Sequence, residues 1–106
     1  MTASRLEALE KFLETDPGDS FTHYAIALEY ASQKRFDDAI KKLEALIILE
    51  PEYVPAYQQL GYFYTQLHQH EEAKDAFRKG IEAAKLARDH HAQGEMQEAL
   101  DELEEC

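Results

Sequence analysis

The chain predicts an all-α fold in which antiparallel helix pairs stack into a short array, and three observations lead there. Apolar residues recur at i, i+3, i+4 and i+7 in one run after another, and no stretch alternates as a strand does. Breaks such as Asp16-Pro17-Gly18-Asp19 fall between the runs and leave joints too short for anything except an antiparallel return. Finally, the chain meets itself when shifted by 34 residues. Pro17 falls on Pro51, Ile26 on Leu60, Ala27 on Gly61, Tyr30 on Tyr64, Ala39 on Ala73 and Leu43 on Phe77.

Six helices follow in order. The first, 4–15, carries Leu6, Leu9, Phe12 and Leu13 on one face and stops at Pro17-Gly18. The second, 19–33, is opened by Asp19, whose short carboxylate suits an N-cap. The third, 37–50, is striped by Ala39, Ile40, Leu43, Leu46 and Ile47 and ends before Pro51. The fourth, 54–67, has Pro55 in its first turn, where a missing N–H costs nothing. The fifth, 71–87, shows Ala73, Ala76, Phe77, Gly80, Ile81 and Ala84 on one face. The sixth, 90–104, has a single apolar stripe of Met96, Ala99, Leu100 and Leu103.

A 34-residue period with two helices per unit resembles the tetratricopeptide repeat. That pattern runs aromatic, two residues, Leu-Gly, two residues, Tyr, then Ala, three residues, Phe, and a closing Pro. The second copy matches with Tyr57, Leu60-Gly61, Tyr64, Ala73 and Phe77, and has Lys85 in place of the proline. The first copy is looser: His23, Ile26-Ala27, Tyr30, Ala39, Leu43 and Pro51. The resemblance implies one domain over 1–106, a right-handed solenoid. Its parts would be a half-repeat helix 4–15, repeat one 19–52, repeat two 53–87 and a capping helix 90–104. In that last helix Glu95 takes the glycine slot and Glu98 the tyrosine slot, so the face that would receive a further helix is charged, as the end of a stack requires. His91 takes the aromatic slot and is expected as a half-buried packing residue. Three tyrosines, two phenylalanines and two histidines crowd between Tyr57 and Phe77, which could suggest a reactive site. The repeat register assigns Tyr57, Leu60, Gly61, Tyr64, Ala73 and Phe77 to packing instead.

Bulk properties narrow the function. The 106 residues suffice for one domain with a modest core, and 44% apolar content is ordinary for a globular protein. No apolar run reaches membrane-spanning length, and the N-terminus lacks the basic and apolar regions of a secretion signal. A single cysteine, Cys106, forms no internal disulfide, which makes a cytoplasmic location the expectation. The net charge is −11, and 89–106 holds seven acids with no Lys or Arg. Such a surface repels phosphate backbones and argues against nucleic acid. The charge reads first as solubility or adaptation to a salty cytoplasm, and second as a preference for basic partners.

Function is then sought in residues that packing does not need. On 19–33 a second apolar row, Phe21, Tyr24, Leu28 and Ala31, stands beside the packing row, and its counterpart on 54–67 is Pro55, Gln58, Tyr62 and Thr65. In tetratricopeptide proteins the first helix of each unit lines a concave groove. The resemblance therefore implies a partner groove formed by Phe21, Tyr24, Leu28, Gln58, Tyr62, Thr65 and Gln66. Tyr24 and Tyr62 are expected side by side, with neither ring needed by the fold. The row has no Lys or Arg, so a buried carboxylate would find no counter-charge, and a segment with apolar anchors fits better. The leading reading is an adaptor for a peptide or protein segment, as a monomer or weak homodimer. The alternative is a self-assembling unit whose apolar row makes the homodimer. An outlier is metal or enzyme chemistry on the histidines. His68, His70, Glu71 and Glu72 cluster at a helix joint, yet 68 and 70 share no helical face and no HExxH motif or cysteine pair is present. Ser20 with His23 and Asp19 is the nearest approach to a nucleophile and base, but His23 occupies a packing slot and Asp19 a cap. No catalytic residue, cofactor or metal is expected.

Overall fold

The computed structural model describes residues 4–105, the side chain of Ser4 excepted; Cys106 lies outside them. Among the described residues the chain is six helices: α1 (Ser4–Thr15), α2 (Ser20–Ser32), α3 (Phe36–Leu49), α4 (Val54–Gln66), α5 (His70–Ala87) and α6 (His90–Glu105). Each packs on the next in sequence, so α2 pairs with α3 and α4 with α5, and the pairs stack; α4 also reaches α6. The result measures 42 × 28 × 20 Å.

Local chemistry explains where the helices begin. Asp19 caps α2, its carboxylate accepting from the Thr22 N–H at 3.0 Å and from the Thr22 hydroxyl. Asp89 does the same for α6, accepting from the Ala92 N–H at 3.1 Å. α3 and α5 have no side-chain cap. They carry Asp37 and Asp38, and Glu71 and Glu72, in the first turn, where negative charge meets the positive end of the helix dipole. α4 has its proline in the first turn, as expected.

The turns after α2 and α4 are the same turn. In the first, the N–H groups of Gln33, Lys34 and Arg35 donate to the carbonyls of Tyr30, Ala31 and Tyr30. In the second, those of Leu67, His68 and Gln69 donate to Tyr64, Thr65 and Tyr64. Both depend on a left-handed residue, Lys34 at φ 64° and His68 at φ 60°. His68 therefore lies in a tight backbone turn repeated from the first unit, and His70 opens α5 directly after it.

The core forms two clusters. One gathers Ala27, Ala39, Ile40, Leu43, Leu46, Ala56, Leu60, Phe63 and Ala76 from α2 to α5. The other joins Tyr57, Ala73, Phe77, Ile81 and Ala84 to Ala92, Met96, Leu100 and Leu103 of α6. Gly61 is needed for space: a Cβ there would lie 2.3 Å from the Phe77 ring, which is 1% exposed and cannot retreat. Gly80 is needed likewise, since its Cβ would lie 2.7 Å from the Tyr57 Cβ. The aromatic slot carries a second repeated device. The Tyr57 hydroxyl donates to the Pro51 carbonyl at 2.5 Å, and 34 residues earlier His23 Nε2 lies 2.7 Å from the Pro17 carbonyl. This distance makes Nε2 the protonated nitrogen and leaves Nδ1 buried with no partner.

One expectation is corrected here. His91 is not half-buried: its side chain is 86% exposed and faces Glu95 at 3.3 Å. The aromatic slot is filled inward in the first two units by a group tied to a proline carbonyl six residues upstream. Six residues before His91 stands Lys85, whose carbonyl lies within α5 and accepts from the Arg88 N–H at 3.1 Å, so that tie is missing. α6 instead docks through Ala92, Met96, Leu100 and Leu103, and turns Glu95 and Glu98 to solvent.

Candidate functional site

The second row on α2 and α4 divides into exposed and engaged residues. Phe21 is 68% exposed, Tyr62 37% and Leu28 36%. These are large apolar groups left in water, and Leu28 and Tyr62 hold equivalent positions in the two units. Gln66 is exposed, while Gln58 and Thr65 are half-buried. Thr65 is occupied, its hydroxyl donating back to the Gly61 carbonyl at 2.7 Å. The Gln58 amide donates to the Tyr62 hydroxyl at 3.3 Å and to Glu95 of α6 at 3.0 Å. Glu95 thus adjoins the row through Gln58. In sequence it looked only like a failed glycine slot, and nothing local signalled that it would face Gln58.

The two tyrosines expected to be dispensable are both in use. Tyr24 is half-buried against Tyr53, ring centroids 5.6 Å apart, and packs on the first core cluster. Tyr62 sets its ring edge-on to Phe77 at 5.5 Å. The reason is that Tyr53 lies in the α3–α4 joint, where helix periodicity gives no indication of which side chain will fold back. Phe21 and Leu28 are therefore the row's fold-sparing positions.

A concavity of about 570 Å³ lies on another face, between α3 and α5 with α4 beneath. None of the seven residues expected in the groove lines it. Tyr64 stands in it and donates to Glu44 at 2.6 Å. Burial first, and then this bond to a carboxylate, push the Tyr64 hydroxyl up to about 12. Burial likewise raises Tyr57 and Tyr53.

The candidate reactive groups have ordinary occupations. Ser20 donates to the Glu50 carboxylate at 2.5 Å, Asp19 caps α2 and His23 is held on the Pro17 carbonyl, so the expected grouping of serine, histidine and aspartate is not assembled. The His68 and His70 rings lie 6.2 Å apart, and no group of three or more metal-ligating side chains occurs among the described residues. No helix there is long and apolar enough to cross a membrane.

With the stacked helix pairs in place, comparison with known proteins is decisive. The tetratricopeptide repeat model matches residues 30–92. The chain belongs to the tetratricopeptide repeat family. Among solved structures it is similar to a tetratricopeptide repeat domain protein from Salinibacter ruber, at 33% identity over 83% of this chain and 89% of that one, with a TM-score of 0.79. A protein from Bordetella parapertussis shares 26% identity over 94% of this chain and 87% of that one, with a TM-score of 0.83. The translocator chaperone SycD of the Yersinia enterocolitica type III secretion system superposes at a TM-score of 0.88 over 97% of this chain and 72% of its own, with 10% identity, a likeness of fold. No curated protein sequence matches the chain.

Proposed function

We propose that this tetratricopeptide repeat protein is a non-enzymatic, cytoplasmic binding module that holds a peptide or protein segment along the exposed row of α2 and α4. The half-repeat, the units 19–52 and 53–87 and the closing helix 90–104 are part of this reading. The observation that carries it is the exposure of Phe21, Leu28 and Tyr62 on the first helices of successive units, beside polar Gln58, Gln66 and Glu95. Apolar groups set among polar ones are how segment-binding surfaces are built. The row has no cation, so the occupant is anchored by apolar side chains and needs no terminal carboxylate.

The test is selection of peptides from a random library on the wild-type chain, followed by calorimetry with the selected peptides. Phe21→Ser combined with Leu28→Ser is expected to abolish binding while the circular dichroism and Tm stay within error of wild type. Undiminished binding by the double variant would rule this surface out. The same row could instead close a homodimer; sedimentation equilibrium on both proteins separates the cases, because a dimer built this way dissociates in the variant.

A further inference from the structure

The trough between α3 and α5 is a second surface, independent of the row proposed above. Its floor is apolar: Tyr57, Leu60 and Tyr64 of α4, flanked by Ile47 and Ala76. At its edge Ile48 is 80% exposed, a stiff hydrophobic side chain that neither core cluster uses. Carboxylates stand on both walls, Glu44 from α3 and Glu71, Glu72 and Asp75 from α5. Lys79 is the one cation in the lining and already pairs with Asp75 at 3.1 Å, while Glu71 holds Lys74 at 3.3 Å. No salt bridge among the described residues reaches Glu44 or Glu72. Part of this wall recurs in the first unit, where Asp37 and Asp38 stand at the positions of Glu71 and Glu72, but Asp75 replaces Lys41 and Ala76 replaces Lys42, so the second unit lacks the two cations of the first.

These features define the occupant. Carboxylates above a low-dielectric floor focus negative potential, so whatever covers the floor must bring positive charge or leave desolvated acids unpaired. From Tyr57 to Tyr64 the floor runs about 10 Å, two helical turns. A helix laid between α3 and α5 would meet it as one helix meets another, with its own axis about 8–10 Å above that of α4. We propose that this trough docks a basic amphipathic helix of a partner protein, with apolar side chains one turn apart on the α4 floor and Lys or Arg reaching Glu44 and Glu72.

The probe is a fluorescein-labelled synthetic peptide of about four helical turns, with leucines at i, i+4 and i+7 flanked by lysines, followed by anisotropy. A scrambled peptide of the same composition controls for the attraction any cation feels toward a chain of charge −11. The amphipathic peptide is expected to bind at least ten-fold tighter than the scrambled one. Ile48→Ser, a surface change, is expected to remove that preference, and Glu44→Gln with Glu72→Gln to weaken binding roughly ten-fold and flatten its salt dependence. Phe21→Ser with Leu28→Ser, on the other face, is expected to change nothing. Equal binding of the two peptides overturns the proposal, as does loss of binding in the Phe21 and Leu28 variant alone. Concentration-dependent dimerisation of the wild-type chain that Ile48→Ser abolishes also overturns it, since the occupant would then be a second copy.

Discussion

Gly61 and Phe77 show how one repeat stores its packing in a pair of residues. Their counterparts in the first unit are Ala27 and Leu43, both fully buried in one cluster. A smaller residue faces a larger ring in the second unit, and a methyl group faces a smaller side chain in the first. Gly61→Ala alone drives a Cβ into the Phe77 ring and is expected to cost about 1–3 kcal/mol. Phe77→Leu alone leaves a void and is expected to cost about 1–3 kcal/mol. The double variant restores the combination of the first unit, so it should be more stable than the sum of the two losses by at least about 1 kcal/mol in urea melts. Strict additivity would show that the two side chains do not share the space. Tyr64 gives a second residue-scale test. Its hydroxyl is held up to about 12 in the fold against about 10 in the unfolded chain, so the neutral form belongs to the native state. The stabilisation is complete below pH 10 and is lost as pH rises through 12. Stability measured from pH 8 to 12 should therefore fall more steeply for wild type than for Tyr64→Phe. Parallel curves would show that the fold does not raise the Tyr64 hydroxyl.

At the scale of the element, the helix ends are held by geometry that suits other residues better. Lys34, His68 and Arg88 are non-glycine residues at φ 64°, 60° and 56°. An L side chain is strained there, and glycine is the common occupant of such a helix end. Replacing each by glycine is expected to stabilise by up to about 1 kcal/mol, read as a rise in Tm, because the relief of strain exceeds the added chain entropy. A drop in Tm at Lys34 or His68 would mean that those side chains contribute contacts of their own. The same geometry accounts for how much of the elements could be read beforehand. Helix bounds agreed within a residue or so because caps, prolines and apolar stripes are local signals. Left-handed lysine and histidine have no such signal, so the turn shared by Lys34 and His68 was not legible beforehand.

At the scale of the molecule, stability is graded along the stack. α1 packs mainly on α2, and its stripe of Leu6, Leu9 and Leu13 is no more than half-buried, with Phe12 51% exposed. Leu46, the counterpart of Phe12 one unit on, is fully buried because α3 has a helix on each side. Stacked repeats draw stability from their neighbours. Amide hydrogens of α1 are therefore expected to exchange fastest, and those of α4 and α5 slowest, by mass spectrometry of exchanged peptides. Protection in α1 equal to that in α5 would show that another surface covers Leu9 and Phe12 in solution.

The sequence by itself determined the six helices, their antiparallel pairing and the residues at the helix contacts, because each is written in a short-range period and repeated 34 residues later. Gly61 against Phe77, Asp19 as a cap and Pro55 in a first turn all follow from such local rules. Only the tertiary structure decided which residues outside the stripe are left over. Tyr24 packs on Tyr53 across a joint, and His91 turned outward because the carbonyl six residues upstream, that of Lys85, is held within α5. Glu95 met Gln58 across two helices. Ile48 was readable in principle, since Ile47-Ile48-Leu49 is wider than one stripe, but what it borders was not. The trough exists because α3 and α5 stand apart on either side of α4, and that separation depends on how whole helices seat against one another, which no spacing within a single helix encodes.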